Sequence, residues 1–110
     1  MSWEDLVAIL EQEVPAGRIT TFFELSLCVY GRIGKYSAVR AMLAAARKHG
    51  FQELTNRVVT VDGKLAVMPD GSDLQHQQLL SEGIIFTNDG RVDMHKVRHV
   101  YLRGLFNRRQ

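Results

Sequence analysis

Between Thr21 and Lys48 the chain sets two short helical periods on either side of Tyr30-Gly31-Arg32-Ile33-Gly34, and this arrangement constrains the fold more than any other feature. Thr21-x-x-Glu24 has the spacing of a capping box, in which the threonine hydroxyl and the glutamate side chain reciprocally satisfy free amides of a first turn. It predicts a helix from Thr21 through about Val29. The two glycines punctuate the chain there, and a further helix follows from about Ser37 to Lys48, with alanine-rich faces suited to close packing. Two short helices joined by a glycine turn read as a helix-turn-helix.

Upstream, Ser2 with Asp5 three residues later opens a first helix, in which Trp3, Leu6, Val7 and Leu10 recur at helical spacing and which Pro15-Ala16-Gly17 ends. Downstream, Val58 to Val61 and Lys64 to Val67 flank Asp62-Gly63, the residues of a type I′ hairpin turn. Ser72 or Asp73 caps a helix that runs through Leu79-Leu80 and is closed by Gly83. Ile84-Ile85-Phe86 and Arg91 to Met94, around Asn88-Asp89-Gly90, read as a second short hairpin or wing. The expected fold is mostly α with small β: a winged-helix-like domain over residues 1–95, with a helix-turn-helix followed by a β-hairpin. Residues 96–110 form a basic C-terminal tail, read as a short helix or as disordered chain. No internal repeat, linker or low-complexity stretch is evident.

With 110 residues the chain makes one domain. No apolar run nears the roughly 18 residues that span a membrane, and Ser2-Trp3-Glu4-Asp5 lacks the basic and apolar parts of a signal peptide. A cytoplasmic location is expected, at the nucleoid if the source is bacterial. Cys28 is the one cysteine, so an intrachain disulfide and a cysteine-based metal site are excluded; it reads as a buried small hydrophobe. No metal or cofactor is expected. Net charge is only +2, but residues 1–13 hold four acids and no base, whereas six Lys or Arg stand against Glu53 alone between Arg32 and Arg57. Five more bases and no acid follow Asp93. Segregated charge of this kind fits a DNA-binding face.

Three stretches, in order, carry a resemblance to a known family. Gly17 to Ser26 (G-R-I-T-T-F-F-E-L-S) is similar to G-K-V-T-T-Y-G-E-L-A, and Ala38 to Ala46 falls on A-A-R-A-V-G-x-A-L. Leu54-Thr55-Asn56-Arg57-Val58 stands where the pattern has Pro-Cys-His-Arg-Val, and Leu80 to Ile84 is similar to L-x-x-E-G-V. The chain thus resembles the C-terminal DNA-binding domain of alkylguanine-DNA alkyltransferases over about residues 2–95, but without their acceptor cysteine. It looks like a member or a divergent cousin of the alkyltransferase-like proteins, which bind alkylated guanine without repairing it and pass the lesion to nucleotide excision repair.

The resemblance implies double-stranded DNA as partner, excision-repair proteins as possible further partners, and a monomer. It implies a DNA-binding set of Thr21, Phe22, Arg32, Lys35, Tyr36, Ser37, Arg40, Arg47 and Lys48. Phe22 stands for the tyrosine that presses on the phosphate beside the target nucleotide, and Arg40 for the arginine finger that fills the vacated stack. It further implies a lesion pocket of Thr55, Asn56, Arg57, Val58, Met68, Pro69 and Glu82. Phe23 replaces a small residue, with no explanation in the sequence.

Catalysis is not expected. Irreversible alkyl transfer needs a thiolate and a base; Thr55 has no comparable nucleophilicity and Asn56 takes no proton. His76, His95 and His99 form no metal-ligand pattern. Two rival readings stay open: a winged-helix DNA-binding or regulatory module without base flipping, and a protein-interaction domain whose DNA face has decayed.

Overall fold

The structure, a computed structural model, describes residues 2–65 and 72–99. Helix α1 (Trp3–Glu13) runs into strand β1 (Arg18–Thr21), which passes directly into α2 (Phe22–Tyr30). After the glycine turn come α3 (Tyr36–Lys48), the single turn α4 (Gln52–Thr55), strand β2 (Val58–Val59), α5 (Ser72–Ser81) and strand β3 (Arg98–His99). The coarse expectation, mostly helix with a little strand, therefore holds.

Local chemistry accounts for the helices. At α1, the Asp5 carboxylate accepts the Ser2 amide at 3.0 Å, as the capping spacing predicts. At α2, Thr21 Oγ1 accepts the Glu24 amide at 3.1 Å. Helix α5 starts at Ser72 and ends just before Gly83, where Gly83 and Ile84 donate back to the carbonyls of Leu80 and Leu79 at 3.0 and 2.9 Å. Those two bonds make a Schellman closure.

The sheet is where expectation and structure part. Its order is β2-β1-β3, with β1 in the middle and both neighbours parallel to it. Thr20 pairs with Val58 and Thr21 with Val59; Arg18 pairs with Arg98 and Ile19 with His99. Residues 18–21 were not anticipated as a strand, although Ile19-Thr20-Thr21 is a β-branched run. Parallel partners lie far along the chain, so no local pattern announces them. The folded chain also continues past residue 95, since Val97 packs on the core and Arg98–His99 pair with β1. Residues 100–110 of the expected tail lie outside the described residues.

The strands divide two cores. Successive strand residues face opposite sides, so Val58 joins Leu10, Leu25, Val39 and Leu43 of the helical core, whereas Val59 joins Ile19, Leu79, Ile84 and Val92. Cys28 is fully buried in the first cluster, as its apolar run suggested. Trp3 ties α1 to the end of α3, stacking on His49 with ring centroids 4.4 Å apart.

The expected Asp62-Gly63 hairpin is present but built differently. Among the described residues of this hairpin the antiparallel bridge is Val59 with Leu65, and residues 66–67 lie outside the described set. A type I′ turn needs positive φ at both central residues, yet among the described residues only glycines have it. Instead Gly63 donates to the Thr60 carbonyl at 2.9 Å and Thr60 to the Lys64 carbonyl at 3.0 Å, with Gly63 at φ +87°. This is the three-residue loop with a left-handed third position. Thr87 to Arg91 repeats it: Gly90, at φ +84°, donates to the Thr87 carbonyl at 3.1 Å and Thr87 to the Arg91 carbonyl at 2.7 Å. In both loops the threonine hydroxyl reaches the aspartate. The five-residue string T-x-D-G-[KR] is thus a small internal repeat that the sequence reading missed.

The two loops interlock, because the Val92 amide donates to the Gly63 carbonyl at 2.8 Å. A β-carbon on Gly63 would overlap the Val92 carbonyl, whereas one on Gly90 would meet open space. Gly90→Ala should therefore cost about 1–2 kcal/mol, the left-handed penalty alone, and Gly63→Ala clearly more, with the backbone clash added. Urea denaturation of the two variants would check the ordering; equal losses would contradict the interlock.

Candidate nucleic-acid interface

Helices α2 and α3 are held at a fixed angle by one buried side chain. Ser26 Oγ donates to the Arg32 carbonyl at 2.6 Å and accepts the Lys35 amide at 3.1 Å, so both ends of the turn are tied to α2. That geometry pushes Arg32, Ile33, Tyr36 and Ser37 outward; Ile33 is 56% exposed and Tyr36 44%. Lys35 is half-buried, with its ammonium 5.9 Å from the centre of the Tyr30 ring. Arg40 and Lys48 are exposed on α3. The structure thus collects Arg32, Lys35, Tyr36, Ser37 and Arg40 along the turn and the start of α3, with Lys48 at its far end.

Three of the expected DNA-contacting residues are placed otherwise than the sequence reading had them. Thr21 is fully buried as the cap of α2. Phe22 is only 6% exposed and belongs to the helical core, because the strand-to-helix junction turns its ring inward. Arg47 also turns inward, toward α4, where its Nη1 donates to Asn56 Oδ1 at 2.6 Å and Thr55 Oγ1 at 3.3 Å. A guanidinium held in this way is not a free phosphate contact.

Beside this surface lies a cavity of about 300 Å³ walled by Phe22, Phe23, Tyr36, Arg40, Thr60 and Val61. The Arg40 guanidinium sits over the Phe22 ring, 5.4 Å from its centre, within cation–π range. Phe23, unexplained from sequence, is thus a cavity wall. Phe23, Thr60 and Val61 were missed as site residues; the one available signal was the doubled aromatic Phe22-Phe23 where the family pattern has a small second residue.

The residues expected to form the lesion pocket lie elsewhere and are occupied with one another. Thr55, Asn56, Arg57 and Val58 are all buried, and none of them walls this cavity. Thr55 donates its hydroxyl to the Gln52 carbonyl at 3.1 Å. Asn56 Nδ2 donates to Gln78 Oε1 at 2.9 Å, and Gln78 Nε2 donates to Glu82 Oε2 at 3.0 Å. Arg57 grips Glu82 with two nitrogens, Nε to Oε1 at 3.0 Å and Nη2 to Oε2 at 2.8 Å, and its Nη1 donates to the Val14 carbonyl at 3.3 Å. Gln75 Nε2 reaches the carbonyls of Asn56 and Val58 at 3.0 and 3.3 Å. Gln75 and Gln78, three apart on α5, were also missed; their spacing on one helical face was the legible sign. Met68 and Pro69, the other expected pocket residues, lie outside the described residues.

Electrostatics follow from these contacts. Burial pushes the Glu82 carboxyl up, but the hydrogen bonds from Arg57 and Gln78, the Arg57 charge and the Gly17 amide together hold it below the ordinary carboxylate range. Glu82 is therefore an ionised anchor with its lone pairs engaged, poorly suited to moving a proton. On the other side of Val61, which lines both, a wider cleft of about 710 Å³ runs between the two repeated loops. There Arg91 bridges Asp89 at 2.9 Å and Asp62 at 3.4 Å, and the Thr87 hydroxyl and Arg91 bring the Asp89 carboxyl down to about 2. Among the described residues no group of three or more His, Cys, Asp or Glu is placed to hold a metal, and no helix is long and apolar enough to cross a membrane.

Compared with known proteins, the chain matches no protein-family model and gives no significant match to a curated protein sequence.

Two outcomes are expected. A carboxylate whose folded pKa is depressed contributes stability above its unfolded pKa, near 4.3, and loses it as pH falls through the folded value. Glu82→Gln, which leaves Arg57 without its counter-ion, should cost about 3 kcal/mol at neutral pH, and the gap to wild type should narrow below about pH 4. Denaturation midpoints across that range would show it; a pH-independent gap would contradict the ion pair. Arg47→Ala should cost about 1–3 kcal/mol by stranding Asn56 Oδ1, against less than about 0.5 kcal/mol for its exposed neighbour in Lys48→Ala.

Proposed function

We propose that this chain is a non-catalytic DNA-damage recognition protein: a winged-helix-like domain that lays α3 in the minor groove and turns alkylated guanine out of the stack. The observation that carries this reading is the position of Arg40. It stands exposed near the start of α3, with its guanidinium over the Phe22 ring, and is one wall of an aromatic-lined cavity. A guanidinium there is suited to enter a base stack, and the cavity beside it is suited to a base that has left one. Arg32, Lys35 and Lys48 supply salt-dependent, sequence-tolerant attraction to phosphates.

The absence of chemistry is part of the proposal. The positions that resemble a cysteine and a histidine are Thr55 and Asn56, both engaged in hydrogen bonds, and Glu82 is spent on Arg57. Such a protein recognises a lesion and leaves its removal to others, which in this reading are excision-repair proteins, and it acts as a monomer in the cytoplasm. Unpairing costs a few kcal/mol, least for a weakly paired damaged base, which by itself favours lesions.

A second reading, a winged-helix module that flips nothing, is favoured by the burial of Phe22, which leaves little ring to press on a phosphate. Fluorescence anisotropy with matched duplexes, one carrying a single O-alkylated guanine, separates the two. The first reading expects preference for the lesion, lost by roughly 5- to 100-fold in Arg40→Ala, while Lys48→Ala weakens both duplexes alike and lowers the salt slope by about 1. Equal binding to both duplexes would leave the second.

A further inference from the structure

We infer that the cavity of Phe22, Phe23, Tyr36, Arg40, Thr60 and Val61 is a stacking site for a single unpaired nucleobase, held by its flat faces and with little regard for its identity. The inference rests on the reading that α2 and α3 face a duplex, and it departs from the expectation that a base would enter over Thr55. That route is filled: Thr55, Asn56, Arg57 and Val58 are buried and hydrogen-bonded or packed in the core.

The chemistry of the walls selects the occupant. Three of the six are aromatic; Phe22, at 6% exposure, offers little of its ring, so half-buried Phe23 and Tyr36, 44% exposed, supply the faces. Aromatic faces accept any base, since every base has a π face. The volume, about 300 Å³, is at the small end of ligand pockets and suits one planar ring system. Arg40 supplies charge at the edge: its guanidinium lies over the Phe22 ring, 5.4 Å from the centre, and carries several N–H donors that can meet the phosphate of the same nucleotide. None of the six walls is a carboxylate, and Asp62, the acid next to Val61, is engaged by Arg91 and Thr60.

Base identity needs edge-reading donors and acceptors, and the cavity is poor in them. The Thr60 hydroxyl donates to Asp62 and accepts the Lys64 amide at 2.9 Å. Apart from the Tyr36 hydroxyl, and the Arg40 guanidinium assigned to the phosphate, stacking and shape are what remain. The site therefore reads whether a base is unpaired, and an alkylated guanine that pairs weakly is one instance of that state.

The test uses the full chain with labelled duplexes that are fully paired or carry one unpaired A, G, C or T, read by anisotropy. The quantity is the affinity for the bulged duplex divided by that for the paired one. Wild type should favour all four bulges to a similar degree. In Phe23→Ala and Tyr36→Ala that ratio should fall by roughly 5- to 100-fold, the range that loss of one base–aromatic stack produces. Phe23→Tyr should restore it and Phe23→Leu should not; a merely packing role would be served by Leu, and its melting temperature shows whether the variant folds. A ratio unchanged in both alanine variants, with duplex binding intact, overturns the inference, as does strong dependence on which base is unpaired. No duplex binding at low salt overturns it together with the proposed function. A Phe23-dependent bulge preference without preference for alkylated guanine supports the stacking site and sinks only the lesion reading.

Discussion

The guanidinium of Arg57 is the joint on which the rest of the molecule is assembled. It precedes β2, grips Glu82 just past the end of α5, and donates to Val14 at the end of α1. Its backbone carbonyl accepts the Thr20 amide of β1 at 2.9 Å. Four segments distant in sequence meet at this one residue, and both side chains of the pair are about nine-tenths buried, at 10% and 11% exposure. Burying two charges is costly, and the return comes only when geometry and added hydrogen bonds are good. Here the bidentate contact is supplemented by Gln78 and the Gly17 amide. Removing either partner strands a charge in the seam between the two cores.

That joint also decides what the neighbouring residues can do. A nucleophile needs a lone pair and a base within reach. Around Arg57 the polar groups are committed in series: Arg47 donates to Asn56, Asn56 to Gln78, Gln78 to Glu82, and Arg57 to Glu82. The segment that resembles a catalytic motif therefore serves as a strut. What reaches solvent with aromatic and cationic character lies instead across α2, α3 and the loop after β2.

Much of the local structure was legible in the sequence. Thr21 and Glu24, and Ser2 and Asp5, announced their helix starts because capping is a short-range bond. Gly83 marked the end of α5 for the same reason. The parallel pairing of Thr20-Thr21 with Val58-Val59 was not legible, since its partners lie nearly forty positions apart and β-branched residues suit several environments. The Asp62-Gly63 turn was placed correctly but given the wrong type, because one glycine with positive φ fits two loop lengths. Arg40 and Arg47, seven apart, share one side of α3. What separates their roles is what stands beyond each, the cavity for Arg40 and α4 for Arg47. That is tertiary information, and it is why the candidate site proposed for Arg40 is shifted from where the motif alone put it.

Thr21 belongs to two elements at once, closing β1 against Val59 and capping α2 through Glu24. No residue of slack lies between sheet and helix. The cavity takes Phe22 and Phe23 from one side of that junction and Thr60 and Val61 from the chain just beyond the other strand. Its opposing walls are therefore fastened together at their base. Much of the ordering entropy of the site is met when the chain folds, and a guest entering it has less disorder left to quench.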